Sequence, residues 1–284
     1  MLMMPTAQLA PTGFGLTAVL CWGISDFSGG YASRRSDAFL VTLVAHAAGF
    51  VLMTAAAIGV HAPFPDRNAQ LWALAAGTLG GAGLAFFYQA LGSGKMGINA
   101  PVAAVVGAGI PTVFTFATEG LPSRLTMLGF MLAAAGIWLI SSQDAGGERP
   151  EGLGLAIISG IGFAGFFVCI HRTGPNSAVW SAAFSRFASL TVVAVMLVLR
   201  GCRSGIRWND ALMAMAAGCL DSTGTLLFIR ADQTGRLDAA VVLTSLYPAV
   251  TVLLARIVFK EQFTRWKAAG IVAALAAIPL IAAQ

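Results

Sequence analysis

Charge is scarce in this sequence. Of 284 residues only 10% are Asp, Glu, Lys or Arg, against about 25% in an ordinary soluble domain. The hydrophobic share is 57%. A soluble fold of this length would leave large apolar patches in water, where they aggregate, so the soluble globular class is excluded. Cysteine is also sparse. The four residues Cys21, Cys169, Cys202 and Cys219 form no CxxC pair, and three lie inside apolar stretches. That argues against a disulfide framework or a zinc site and suits small buried hydrophobes. The three histidines His46, His61 and His171 lack ligand spacing, and neither HExxH nor GxSxG occurs. No metal, no cofactor and no enzymatic chemistry is expected. Lys and Arg outnumber Asp and Glu by 17 to 12, for a net charge of +5. They are scattered between apolar stretches and form no basic stripe, so no nucleic-acid partner is expected. Loop cations on a membrane protein account for them.

Long hydrophobic runs are what the sequence has in plenty. Crossing a hydrocarbon core takes about 20 apolar residues. Ten such spans can be drawn, over 13–32, 38–60, 70–91, 97–118, 125–142, 152–171, 178–200, 210–229, 237–258 and 266–283. The reading is an all-α integral membrane protein of ten transmembrane helices, with the lipid bilayer as solvent for its outer face. The 33 glycines fit, because small residues let membrane helices approach closely. Residues 1–8 contain no Lys or Arg and so lack the n-region of a signal peptide. The first span is therefore expected to remain in the mature protein. Gly160, Gly162 and Gly165 match GxGxxG, but they sit inside an apolar helix with no preceding strand. Helix packing is the expected role there, not a dinucleotide site.

The two halves resemble each other. Pro11, Gly13, Gly15, Leu16, Gly23 and Phe27 recur as Pro150, Gly152, Gly154, Leu155, Gly162 and Phe166. Gly83, Phe87, Ala90 and Gly94 recur as Gly224, Phe228, Ala231 and Gly235. The offset stays near 140 residues, as a duplication requires. The expected units are residues 1–143 and 144–284, with five helices each. An odd number per unit inserts the second copy upside down, giving two inverted five-helix repeats. That symmetry is found in many secondary transporters.

Ser245-Leu246-Tyr247-Pro248-Ala249-Val250 is followed by Phe259-Lys260-Glu261-Gln262-Phe263-Thr264 and then Gly270. With Ala231 ahead of it, this series resembles the EamA family of the drug/metabolite transporter superfamily. Trp22-Gly23 is similar to the Trp-Gly of that family's first helix, and Arg186 stands where a repeat's second helix often has Arg. The first half departs further, with His46 or Ala47 near the expected Arg and Glu119-Gly120 in place of Gly-Glu. The resemblance implies ten helices around a central cavity, no bound cofactor and no ATP hydrolysis. It leaves open which small molecule is carried.

An ionisable side chain at mid-membrane depth costs about 2.5–3.5 kcal/mol on insertion scales and is a functional candidate by default. Asp26, His46, Arg186 and Asp221 qualify. Counting residues from the span ends pairs Asp26 with His46 at one depth and Arg186 with Asp221 at another. On the functional reading Asp26 and His46 take part in proton or substrate binding, and Arg186 holds a substrate carboxylate. On the plainer reading each pair only neutralises itself so that it can be buried. Trp22 lies one helical turn from Asp26 on the same face. Trp22, Tyr88, Gln89, Asn99 and Tyr247 complete the candidate cavity lining. Trp72, Trp180, Trp208 and Trp266 sit near span ends, as an interfacial belt would place them.

Together these residues lead to an expected secondary transporter of small polar metabolites, amino acids or related compounds, working by alternating access in the direction of export. Protons are a candidate coupling ion, a homodimer is compatible, and the setting is the inner (plasma) membrane of a bacterium. The alternatives are a channel or scramblase, a membrane enzyme, and a sensory subunit. Orientation stays open. The cations gather on the face bearing Arg34, Arg35, Arg203, Arg207, Lys260 and Arg265, which puts the termini outside, whereas the resemblance implies cytoplasmic termini.

Overall fold

A computed structural model describes residues 6–93, 96–141, 151–201, 205–259 and 265–281. The motif residues Lys260, Glu261, Gln262, Phe263 and Thr264 lie outside the described residues, as do Lys95, Arg149, Arg203, Cys202 and most of the central loop. The chain runs as α1 (Thr6–Ser33), α2 (Ala38–Gly59), α3 (Arg67–Ser93), α4 (Met96–Glu119), α5 (Arg124–Ser141) and α6 (Leu153–His171). It continues as α7 (Ala178–Leu199), α8 (Trp208–Thr234), α9 (Leu237–Thr244), α10 (Tyr247–Phe259) and α11 (Arg265–Ile281). The ten expected spans are recovered, with α9 and α10 as two pieces of the ninth. Among the described residues seven spans, Leu237–Phe259 included, are long and apolar enough to cross a membrane, and α5 adds the shorter apolar stretch Arg124–Gly136. α1 carries Ser25, Asp26 and Ser28 within its apolar run.

The bundle is apolar outside and buries its mid-span ionisable groups within a largely apolar core. Val51, Val113, Trp138 and Val198 are each more than 60% exposed, whereas Asp26, His46, Arg186 and Asp221 are all buried. Water would favour the reverse. A bilayer does not, because its chains are as apolar as the side chains facing them.

Caps fix where the helices begin. The Asp37 carboxylate accepts from the backbone N–H groups of Phe39 (2.9 Å) and Leu40 (3.2 Å) at the start of α2. Ser177 accepts from Trp180 N–H at the start of α7. Such caps satisfy amides that have no partner inside their own helix. Asp66 does the same for α3 at the membrane surface, accepting from Ala69 N–H at 2.8 Å. That backbone hydrogen bond, aided by the Asn176 amide, holds the Asp66 carboxyl below its ordinary pKa. A lowered folded pKa means that the contribution to stability is present above the unfolded pKa and is lost as pH falls through the folded one. Thermal melts of the parent and Asp66→Asn should therefore differ near neutrality and converge below about pH 4.

α1 packs on α8 and α10, α3 on α6 and α7, α2 on α7 and α8, α4 on α6, and α5 on α11. All of these pairs join the first half of the chain to the second. Glycines allow the closest of them. A Cβ on Gly218 of α8 would run into the backbone of Ala45 in α2, and one on Gly77 of α3 into the backbone of Ser185 in α7. These two crossings hold His46, Arg186 and Asp221 in one layer. Gly218→Val should cost at least about 1–3 kcal/mol, since the obstacle is backbone and cannot rotate away. The check is the yield and melting temperature of monodisperse protein in detergent. The GxGxxG glycines also serve packing. A Cβ on Gly162 would lie 2.8 Å from Leu79 O and one on Gly160 2.8 Å from Ala103 O, so these positions seat α6 on α3 and α4.

The ninth span breaks between Thr244 and Tyr247. Pro248 has no N–H to return to the carbonyl of Thr244, and its ring disfavours helical geometry at Tyr247. Ser245 caps the break, its Oγ donating to Val241 O at 2.7 Å. Irregular backbone at membrane depth is tolerated where it meets protein or a wet cavity, and this break faces one.

Candidate functional site

A central cavity is lined by Trp22 and Asp26 of α1, Gly80 and Leu84 of α3, Ala103, Ala104 and Gly107 of α4, and Phe163, Phe166 and Phe167 of α6. Arg186 and Ser189 of α7, Asp221 and Thr225 of α8, Ser245 and Tyr247 complete the lining. Its empty space, with the open solvent at its mouth included, is about 610 Å³. Both halves of the chain contribute. Asp221 stands at the midpoint of α8, about 20 Å from either end at ~1.5 Å per residue, so the cavity lies deep in the bundle.

Arg186 organises the polar part. Its Nη1 donates to Asp221 Oδ2 at 2.6 Å and faces His46 Nδ1 at 3.3 Å, while Nη2 donates to Thr225 Oγ1. A guanidinium can only donate, so His46 Nδ1 must accept. The imidazole is then neutral with its proton on Nε2, an atom that is buried with no partner. Trp22 locks the other side of the pair, its Nε1–H donating to the backbone O of Asp221 at 3.1 Å. The Trp22 ring packs against Phe167, Phe228 and Tyr247. Asp26 lines the same cavity and is 5% exposed. Among the described residues no hydrogen bond or ion pair reaches its carboxylate.

A second polar cluster closes the bundle on the face where α1 begins. His171 Nδ1 lies 3.0 Å from Asp232 Oδ1, and its Nε2 lies 3.8 Å from Glu119 Oε1. Arg236 pairs with Asp238 at 2.9 Å and reaches Glu119 at 4.0 Å. The ends of α4, α6 and α8 are thereby tied to the start of α9.

Residues 150–283 match the profile of the EamA-like transporter family. The second half of the chain is therefore similar to members of that family. A solved structure described only as the crystal structure of a protein shares the fold, with a TM-score of 0.73, 18% identity and 95% of each chain covered. At that identity the likeness establishes the fold alone. No curated protein matches the sequence.

Trp22, Asp26, Arg186, Asp221 and Tyr247 line the cavity, as five of the nine sequence candidates. His46 stands behind it, holding Arg186. Tyr88 is buried under α1, its hydroxyl 3.3 Å from Ser25 Oγ. Asn99 donates to Ala90 O (2.8 Å) and Glu151 O (3.0 Å), joining α3, α4 and the start of the second half. Gln89 is half-buried and does not line the cavity.

The expected pairing of Asp26 with His46 is not what the structure shows, since His46 meets Arg186. Two causes are visible. α8 continues to Thr234, five residues past the expected end, which moves Asp221 to mid-depth. The long Arg186 side chain then spans the depth that residue counting took for separation. Thr225, Ser189 and Ser245 also line the cavity and are not among the sequence candidates. Thr225 follows Asp221 by one helical turn and Ser189 follows Arg186 by three residues, so same-face spacing was the available signal.

Proposed function

We propose that this chain is a secondary transporter that moves small polar metabolites, amino acids or related compounds among them, across a bacterial inner membrane by alternating access, with export as its working direction. One observation carries the reading: a mid-depth cavity, shared by the two halves of the chain, holds charges that a bilayer would otherwise exclude. The helix pairing supports it. α1 with α8 and α3 with α6 exchange under a two-fold operation that maps one half on the other, and α2 with α7 and α5 with α11 map on themselves. Inverted repeats of this kind rock about a central site, opening it to each side in turn.

Protons are the coupling ion best supported, and Asp26 is their carrier. It is the cavity carboxylate without a cation beside it, so a proton or a charged solute can neutralise it. His46 is a poorer carrier, because protonating Nδ1 would set a cation against Arg186. The test is flux in proteoliposomes loaded with a metabolite pool. Saturable uptake, accelerated by unlabelled solute on the far side, is expected of a carrier. Flux that grows linearly with concentration, without that acceleration, contradicts it.

A further inference from the structure

The charged groups of the cavity are unequally free. Arg186 is committed: Nη1 serves Asp221 and His46, and Nη2 serves Thr225. These contacts engage three of its five N–H groups, and Nε is buried without a partner. Most of its hydrogen-bonding capacity is thus spent on protein groups before a solute carboxylate arrives. Asp26 faces the same space with no partner among the described residues. With Arg186, Asp221 and Asp26 ionised, one negative charge in the cavity is uncompensated. An anion would double that excess, and a cation would remove it.

The rest of the lining points the same way. Trp22, Phe163, Phe166, Phe167 and Tyr247 form an aromatic wall, and ring faces attract organic cations. The Tyr247 hydroxyl is buried without a partner, so it can accept a second hydrogen from an ammonium docked on Asp26. The free Nε–H of Arg186 suits a neutral acceptor such as a hydroxyl or amide carbonyl.

We infer that the solute is a monovalent organic cation, a protonated amine with an apolar or aromatic body, whose ammonium docks on Asp26. This rests on the transport reading above and narrows it. The amine obtained by removing the carboxyl group from an aromatic amino acid binds better than the amino acid itself.

Phenethylamine, phenylalanine and 3-phenylpropionate share one skeleton and differ in charge. Each is titrated calorimetrically into the full-length protein in nanodiscs and then offered to proteoliposomes. The amine should bind at least about tenfold more tightly than the other two, as one charge-assisted contact provides, and should be the solute that is carried. Asp26→Asn should erase the preference without lowering the melting temperature, and Asp26→Glu should restore it. Phenylalanine or phenylpropionate binding as tightly as the amine would overturn the inference, as would unchanged preference in Asp26→Asn. Flux of the zwitterion or the anion in place of the amine would overturn it and leave the transport reading standing. Absence of flux for all three, and for a metabolite pool, would overturn both.

Discussion

Arg186→Ala should lose about 3–5 kcal/mol of stability, the usual consequence of leaving one partner of a buried ion pair alone, and should lose transport as well. The substitution strands Asp221 beside Asp26, placing two carboxylates in one apolar-walled cavity with no cation between them. It also removes the donor that orients His46 and Thr225. A compensating pair separates the two losses. Arg186→Met with Asp221→Leu removes both charges at similar volume, and buried pairs replaced in this way often recover their stability. The double variant should melt near the parent and still carry nothing. Thermal unfolding followed by tryptophan fluorescence, beside flux at matched protein density, reads both. A single variant as stable as the parent would show that the pair is not the keystone described here.

Asp26→Asn should behave in the opposite way, with flux lost by at least about tenfold and stability unchanged or raised. The carboxylate has no partner among the described residues. A charge at this depth is unfavourable by about 2.5–3.5 kcal/mol on insertion scales. Replacing it with a neutral amide of the same shape removes that burden and the solute's counter-ion together. A residue whose removal stabilises the fold while abolishing activity is retained for function. The same two assays decide, and a drop in melting temperature comparable with that of Arg186→Ala would assign Asp26 a structural role instead.

The helices were legible because bilayer thickness sets their length and apolar runs mark them directly. The span 38–60 became Ala38–Gly59, and 178–200 became Ala178–Leu199. α8 was read short because Arg230, Asp232 and Gln233 look like a loop. In the folded chain Asp232 is held by His171, and Gln233 donates to the backbone of Gly174 and Asn176, so the helix continues through them. The break in the ninth span was signalled by Pro248. The cavity itself was legible as a set of mid-span polar residues, since lipid leaves such groups nowhere else to face. Which of them would meet was not legible, because partner choice depends on helix rotation and on side-chain reach. His46 illustrates this: it sits at the depth expected of Asp26's partner, yet the Gly218–Ala45 crossing turns α2 towards α8 and brings the ring to Arg186. Tyr88 and Asn99 show the converse: the Tyr88 hydroxyl meets Ser25 Oγ and the Asn99 amide satisfies backbone carbonyls, so neither is left for a solute.

The central claim is that one buried cavity opens to each side of the membrane in turn. A single cysteine at Ser245, in a chain whose Cys21, Cys169, Cys202 and Cys219 have been replaced, tests it most directly. Ser245 lines the cavity at the break in the ninth span and is 2% exposed. A membrane-impermeant thiol reagent would be applied to right-side-out and to inverted vesicles, with and without solute. The account predicts modification from both faces, with solute shifting the ratio between them. Modification from one face only, under every condition, would contradict it.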